Sequence, residues 1–372
     1  MNELAIDYSE LTGKKVHCPP ECGMCCLCQP EILPEEYGFF KTKHPGSIVK
    51  KREPHEHFAI ALKKGRGSCV FLDKDRRCSV YGNRPTYCRQ FPFHFHVSDR
   101  IKAELDLSCR GVWYNKGVDA ISEAETLAER STDRLKIALK EATGVYREFF
   151  GLCREAGVFT DRSVLRSSVY GNIDNFTDTA FIAEVMNASL DEPSVSLADI
   201  VPNAKTDMDE LNEAAREAAL SSMQSEDPFS VPVYCDGQWN WNLFMAGRRG
   251  IEWSILDDNG DLHVKGSADP DEIVLLQTDD GAKKVLRDYI AVLNGRDSFM
   301  GNAYHTMDSL NYEDDMTNVY YGSLSVSVID LMWRSAMLDR FMGTGSGENG
   351  MREAIIFYDM DRLDAPTIGA FV

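Results

Sequence analysis

Nine of the eleven cysteines in this chain lie before residue 110, at Cys18, Cys22, Cys25, Cys26, Cys28, Cys69, Cys78, Cys88 and Cys109, and only Cys153 and Cys235 fall outside that stretch. The first five sit in HCPPECGMCCLC, where Pro19, Pro20 and Gly23 oppose a regular helix or strand and favour a folded-back loop. Such a loop can turn several sulfurs inward. Thiolates held that close repel one another unless a cation lies between them, so the economical readings are a metal site, an iron–sulfur cluster or a disulfide framework.

Compartment weighs against the disulfides. MNELAIDYSELTGKK lacks the apolar core of about 7–15 residues and the cleavage site of a secretory signal. No window approaches the roughly 18–20 uninterrupted apolar residues of a membrane helix. The expectation is a cytoplasmic protein with no membrane partner, where thiols stay reduced and clustered cysteines bind metal.

Other side chains near the cysteines could assist. Arg84 and Arg89 flank Cys88, and a guanidinium there could donate hydrogen bonds to cluster sulfurs and offset their charge, a cofactor-binding role. From Phe91 the sequence alternates, so Phe91, Phe93 and Phe95 are expected to face a core while His94 and His96 point outward. That His pair, like His55 and His57 in PHEHF, reads as solvated rather than ligating. Gly111, just after Cys109, allows close backbone approach to a ligand.

The elements that position these residues are short. A helix is expected from Pro34, ended by His44-Pro45-Gly46. FAIAL (58–62) and SCVFLD (68–73) read as strands, with DKDRR turning into CSVY so that Cys69 and Cys78 sit on adjacent strands of one hairpin. Pro85 and Pro92 bracket a turn carrying Cys88. Beyond residue 113 the texture is helical over 119–223, β-rich over 231–276 and helical again over 281–343. Asn259-Gly260 between two apolar runs is the strongest hairpin signal. Cys153 reads as a buried small hydrophobe, and Cys235 stands isolated. GTGSGENG follows an expected helix rather than a strand, which makes it a helix-ending linker and not a nucleotide loop. Arg296, Tyr304 and His305 are residue types that could line a pocket. The fold class is α+β: a cysteine-rich metal-binding domain over 1–113 and a larger acidic mixed domain over 114–372.

The blocks CPPECGMCC, CVFLDKDRRCSVYGNRPTYCRQFPF and CRG, in that order over residues 17–112, resemble the zinc- and iron-chelating cysteine-cluster family, the YkgJ-type CxxCxxCC proteins, which also takes in flagellin N-methylase. The resemblance implies metal ligation by Cys18, Cys22, Cys25, Cys26, Cys69, Cys78, Cys88 and Cys109. Cys28 is additional, and Cys109-Arg110-Gly111 stands where the family has CPG. Eight such thiols would suit one [4Fe–4S] cluster with spare sulfurs, two clusters, or two zinc ions. The resemblance favours iron–sulfur.

Charge narrows the partners. The chain carries a formal net charge of −19. Residues 1–113 hold 18 Lys and Arg against 14 Asp and Glu, so the acidity belongs to the remainder. Basic neighbours would stabilise an anionic thiolate cluster, whereas the overall acidity argues against nucleic acid. Three functions stay open: a cluster-dependent methyl-transfer or redox enzyme, a zinc-stabilised module that recruits a protein partner, and a metal-delivery or maturation factor. Methyl transfer to a lysine of a protein substrate is what the flagellin-methylase branch would imply.

Overall fold

A computed structural model describes residues 4–53, 55–203, 205–275, 278–362 and 365–372. The fold is α+β. Its central helix, Met316–Met342, is apolar nearly all round and buried along most of its length, as a helix enclosed by others must be. Met208–Ser221, Thr179–Asp191 and Glu348–Arg362 pack around it. Several helices start on an aspartate whose carboxylate accepts a backbone N–H of the first turn, among them Asp161, Asp178, Asp207, Asp279 and Asp315. Part of the acidic surplus therefore serves as helix caps. The helical stretch expected from 119 opens with two helices, Ala120–Arg130 and Thr132–Ala156, broken at Ser131.

Three sheets matter for the site. The first contains Phe93–Val97 and Ile101–Leu105 as an antiparallel pair, with Ile6–Asp7 added in parallel on one side and Ala370–Phe371 on the other. Phe93, Phe95, Ile101, Ala103 and Leu105 are buried in the main core, as the alternation requires. His96 departs from expectation. The returning segment 367–371 covers its face, so the ring is fully buried with Nε2 3.1 Å from Thr367 Oγ1.

The second sheet is small: Glu31–Ile32, His57–Ile60 and Ile48–Lys51. Ile32 and Ile60 pack with Phe40 of the helix Pro34–Lys43 and with Phe71 and Val80, forming a separate apolar cluster beneath the cysteine blocks. The third is an antiparallel meander of Val233–Cys235, Trp241–Gly247, Gly250–Leu256 and Leu262–Ala268. Asn259 and Gly260 lie in the turn between its last two strands, with Gly260 at φ 84°. This hairpin touches the cysteine-bearing region. Ser68 N donates to Asp258 O at 3.0 Å, and a side chain at Gly67 would strike the backbone of Asp258 and Asn259.

A buried ion network joins the early strands to the late helices. Arg296 donates to Asp359 at 2.7 Å, to Glu10 at 3.2 Å and to the Leu105 carbonyl at 2.7 Å. Asp359 also accepts from Tyr289 OH and Leu107 N. Arg296 is thus enclosed in an ion cluster, and Tyr304 is packed among Tyr146, Phe149 and Phe150, and both are buried.

Candidate metal centre

Gly23, in the left-handed conformation at φ 60°, turns the chain into the short 3-10 turn Met24–Cys26, closed by Cys26 N donating to Gly23 O at 2.9 Å. This is the folded-back loop that the prolines and glycine imply. Cys26 O then accepts from Cys69 N at 2.7 Å, so the first and second cysteine blocks are joined through backbone.

The second block is less regular than a hairpin. Leu62 bridges Cys69 and Leu72 bridges Cys78, but no continuous ladder forms. The reason lies in the turn between them: Asp73 Oδ1 accepts from the N–H groups of Asp75 and Arg77 at 2.9 Å each, a side-chain turn that competes with strand pairing. Phe71 N–H points at Cys69 Sγ, 3.4 Å away. Cys88 rides on the one-turn helix Thr86–Gln90, and Cys109 caps the one-turn helix Arg110–Trp113. Gly111 lies against the His17 carbonyl so closely that an added Cβ would overlap its oxygen. A glycine there lets the third block reach the first.

All nine early cysteines line one open cavity of about 870 Å³, together with Arg76, Arg77, Arg84 and Arg89. None of the eleven cysteines is in a disulfide. Most of the thiols resist ionisation as placed, whereas a neighbouring thiol draws Cys22 and Cys25 the other way. Burial first, and then neighbouring thiols, push Cys18 up to about 11, and the same causes raise Cys88. Burial likewise raises Cys69, Cys78 and Cys109. Cys25 is the hub: its charge acts on Cys18, Cys26, Cys69, Cys78, Cys88 and Cys109, and Cys22 acts on it. Soft sulfur donors crowded into one cavity are a donor set that a thiophilic cation or cluster would satisfy.

The two arginines singled out in the sequence divide their roles. Arg84 stacks on Tyr81 at 3.9 Å, donates to the Tyr81 carbonyl at 3.1 Å, and its charge favours ionisation of Cys18, Cys25, Cys78 and Cys88. Arg89 instead donates to the carbonyls of Arg84 at 2.6 Å and Gly82 at 3.0 Å, holding the turn that carries Arg84. His94 lies 3.8 Å from Asp106 and, like His96, does not line the cavity. His55, His57 and Glu31 gather on the outer face of the small sheet with ligand atoms within 4.8 Å of one another, partly or fully exposed.

Cys153 is buried in the core of the helix Thr132–Ala156, as expected. Cys235 is not isolated. It is buried in an apolar cluster with Met24, Leu72 and Trp241, against which Cys22 packs. Arg76 stacks on Trp241 at 3.8 Å, and Trp241 Nε1 donates to the Cys22 carbonyl at 3.0 Å. The meander thus forms a wall behind the first cysteine block. Sequence reasoning missed this wall because it depends on contacts more than two hundred residues apart; the one available signal was a second cysteine two positions beyond an apolar strand start.

Residues 17–110 match the CxxCxxCC family model, described as "Putative zinc- or iron-chelating domain". An uncharacterized protein of Methanocaldococcus jannaschii is 28% identical over 116 residues, 29% of this chain and 63% of that relative, so less than two thirds of the relative's length is spanned. No solved structure matches the chain. The segment is therefore a metal-chelating one, and the protein binds metal. Among the described residues, no helix is long and apolar enough to cross a membrane.

Proposed function

We propose, from the premise that residues 17–110 form a chelating domain of the CxxCxxCC type, that the chain houses an iron–sulfur centre whose ligands are drawn from Cys18, Cys22, Cys25, Cys26, Cys69, Cys78, Cys88 and Cys109, with the remaining thiols spare. The observation that carries this reading is that all eight of these cysteines line one continuous cavity. A cavity of about 870 Å³ is also far larger than one tetrahedral ion requires. A [4Fe–4S] cluster, when bound, supplies one-electron redox chemistry and an iron able to take a substrate atom.

The protein's own residues serve such a centre in definite ways. Arg84 offsets the negative charge of the thiolates, and Arg89 fixes Arg84. Phe71, Leu72, Phe91 and Phe93 supply an apolar lining, and the open side of the cavity admits a reactant. Redox or group-transfer chemistry at that opening is the activity we assign. Transfer of a methyl group to a protein lysine, the activity suggested by the flagellin-methylase resemblance, rests on the cysteine blocks alone.

The test is purification without oxygen. An iron–sulfur centre gives a brown protein absorbing near roughly 400 nm, with iron and sulfide in comparable amounts, and Cys25→Ser loses it. A colourless protein holding two zinc ions per chain would replace this reading with a zinc-stabilised module.

A further inference from the structure

The outer face of the small sheet gathers three side chains that the cysteine cavity does not use. Glu31 is paired with Ala59 across antiparallel strands, and side chains alternate along a strand, so His57 shares a face with Ala59 and therefore with Glu31. His55 precedes that strand. Its ring lies 5.0 Å from the His57 ring, and its Nε2 is 3.7 Å from Glu31 Oε2. The acid that stands between the two histidines in PHEHF, Glu56, is paired with Lys50 at 2.6 Å, so the carboxylate of the trio arrives from a different strand.

Two features fit this trio to a cation. The His57 ring is oriented by a hydrogen bond between Nδ1 and the His55 carbonyl at 2.8 Å. A carbonyl only accepts, so Nδ1 carries the proton and Nε2 keeps its lone pair, which is how ligating imidazoles are held. The ligand atoms of all three residues lie within 4.8 Å of one another. A tetrahedral ion with bonds of about 2.0–2.2 Å sets its donors about 3.3–3.6 Å apart. The Glu31–His55 spacing is close to that, and rotation of the exposed His55 ring can draw in the remainder. Lys51, opposite His57, is exposed and can extend its ammonium into water.

We propose that Glu31, His55 and His57 form a second metal site, separate from the cysteine cavity, for a divalent cation of borderline softness such as zinc. Two imidazole nitrogens and one carboxylate oxygen suit such an ion and leave a fourth position for water. Pro30 and Ile60 line the cysteine cavity, and Ile60 points away from the face of His57, so the two sites lie on opposite sides of one sheet. The second site does not depend on which metal the cysteines hold.

The experiment uses the full chain with its own metal in place, counted before any addition. Equilibrium dialysis against zinc should show one further ion per chain in the parent. His57→Ala and Glu31→Gln should each weaken that binding by at least the roughly tenfold that loss of even an outer partner costs a site. His263→Ala, which removes another exposed imidazole that faces a carboxylate, should leave it unchanged. In the unaltered chain, Co2+ should shift and broaden the ring-proton resonances of His55 and His57 and spare those of His263. Equal zinc uptake by the parent, His57→Ala and Glu31→Gln overturns the proposal, and so does Co2+ that leaves both rings untouched. A loss in His263→Ala as large as in His57→Ala overturns it too, as general surface affinity. A chain that arrives without cysteine-bound metal removes the iron–sulfur reading alone, because the difference between the parent and His57→Ala still reports the trio.

Discussion

Replacing Gly111 by alanine alters no thiol and no charge, yet it should disable the centre. The Cβ would overlap the His17 carbonyl oxygen and lie 3.1 Å from the carbonyl carbon and 3.2 Å from Pro19 Cδ. The obstacle is backbone on one side and a proline ring on the other, neither of which can swing aside. Relief therefore requires the helix Arg110–Trp113, or the loop bearing Cys18 and Cys22, to retreat by on the order of 1 Å. Metal–ligand distances tolerate only about 0.2 Å. Overpacking of this kind costs about 1–3 kcal/mol, and because the displaced segment carries Cys109 the loss should fall on metal retention more than on the fold. Gly38→Ala is the control: it lies within the helix Pro34–Lys43, its added methyl meets nothing within 4 Å, and alanine there should stabilise by up to about 1 kcal/mol. Metal per chain after chelator challenge and thermal unfolding should be read for both variants. Gly111→Ala retaining metal as the parent does would refute the argument that the third cysteine block is held by this approach.

Two further outcomes follow from the electrostatics. Arg84→Gln should weaken metal loading about tenfold at pH 7 and move its onset to higher pH, because protons compete with metal and Arg84 favours thiolate at Cys18, Cys25, Cys78 and Cys88; an unchanged loading profile counts against it. His96 is pushed down to about 4 by burial, so the fold keeps it neutral. The unfolded chain binds a proton at about pH 6.5 and the folded one does not. The contribution of neutral His96 is therefore complete above that value and declines as pH falls toward 4, by up to about 3 kcal/mol. Denaturant titrations of the parent and His96→Gln should show the parent losing more stability over that window, and parallel losses would exclude the histidine as the cause.

The cysteine blocks were legible because their information is local. Prolines and Gly23 define the first loop, paired prolines define the Cys88 turn, and nine thiols before residue 110 leave few uses besides metal. The Asn259-Gly260 turn, the helix from Pro34 and burial of Cys153 were readable for the same reason. What escaped depends on remote partners. His96 alternates correctly with the phenylalanines, but its ring is covered by Thr367, Gly369 and the Phe371 ring of the returning C-terminal segment. Arg296 has the composition of a site residue and instead neutralises Glu10 and Asp359. The Cys69–Cys78 hairpin gave way to the side-chain turn at Asp73, a local competitor that the apolar pattern obscured. Cys235 lies beside Cys22 only because the meander folds back on the first loop.

The meander's role as a rear wall has a practical corollary for anyone wishing to isolate the chelating segment. Met24, Leu72 and the ring of Trp241 share one dry interface, so a fragment ending near residue 113 would lose that cover and present sticky apolar surface next to its ligands. Other polypeptides can thus inherit the same sulfur spacing and still handle their metal differently, according to what each places behind the first loop.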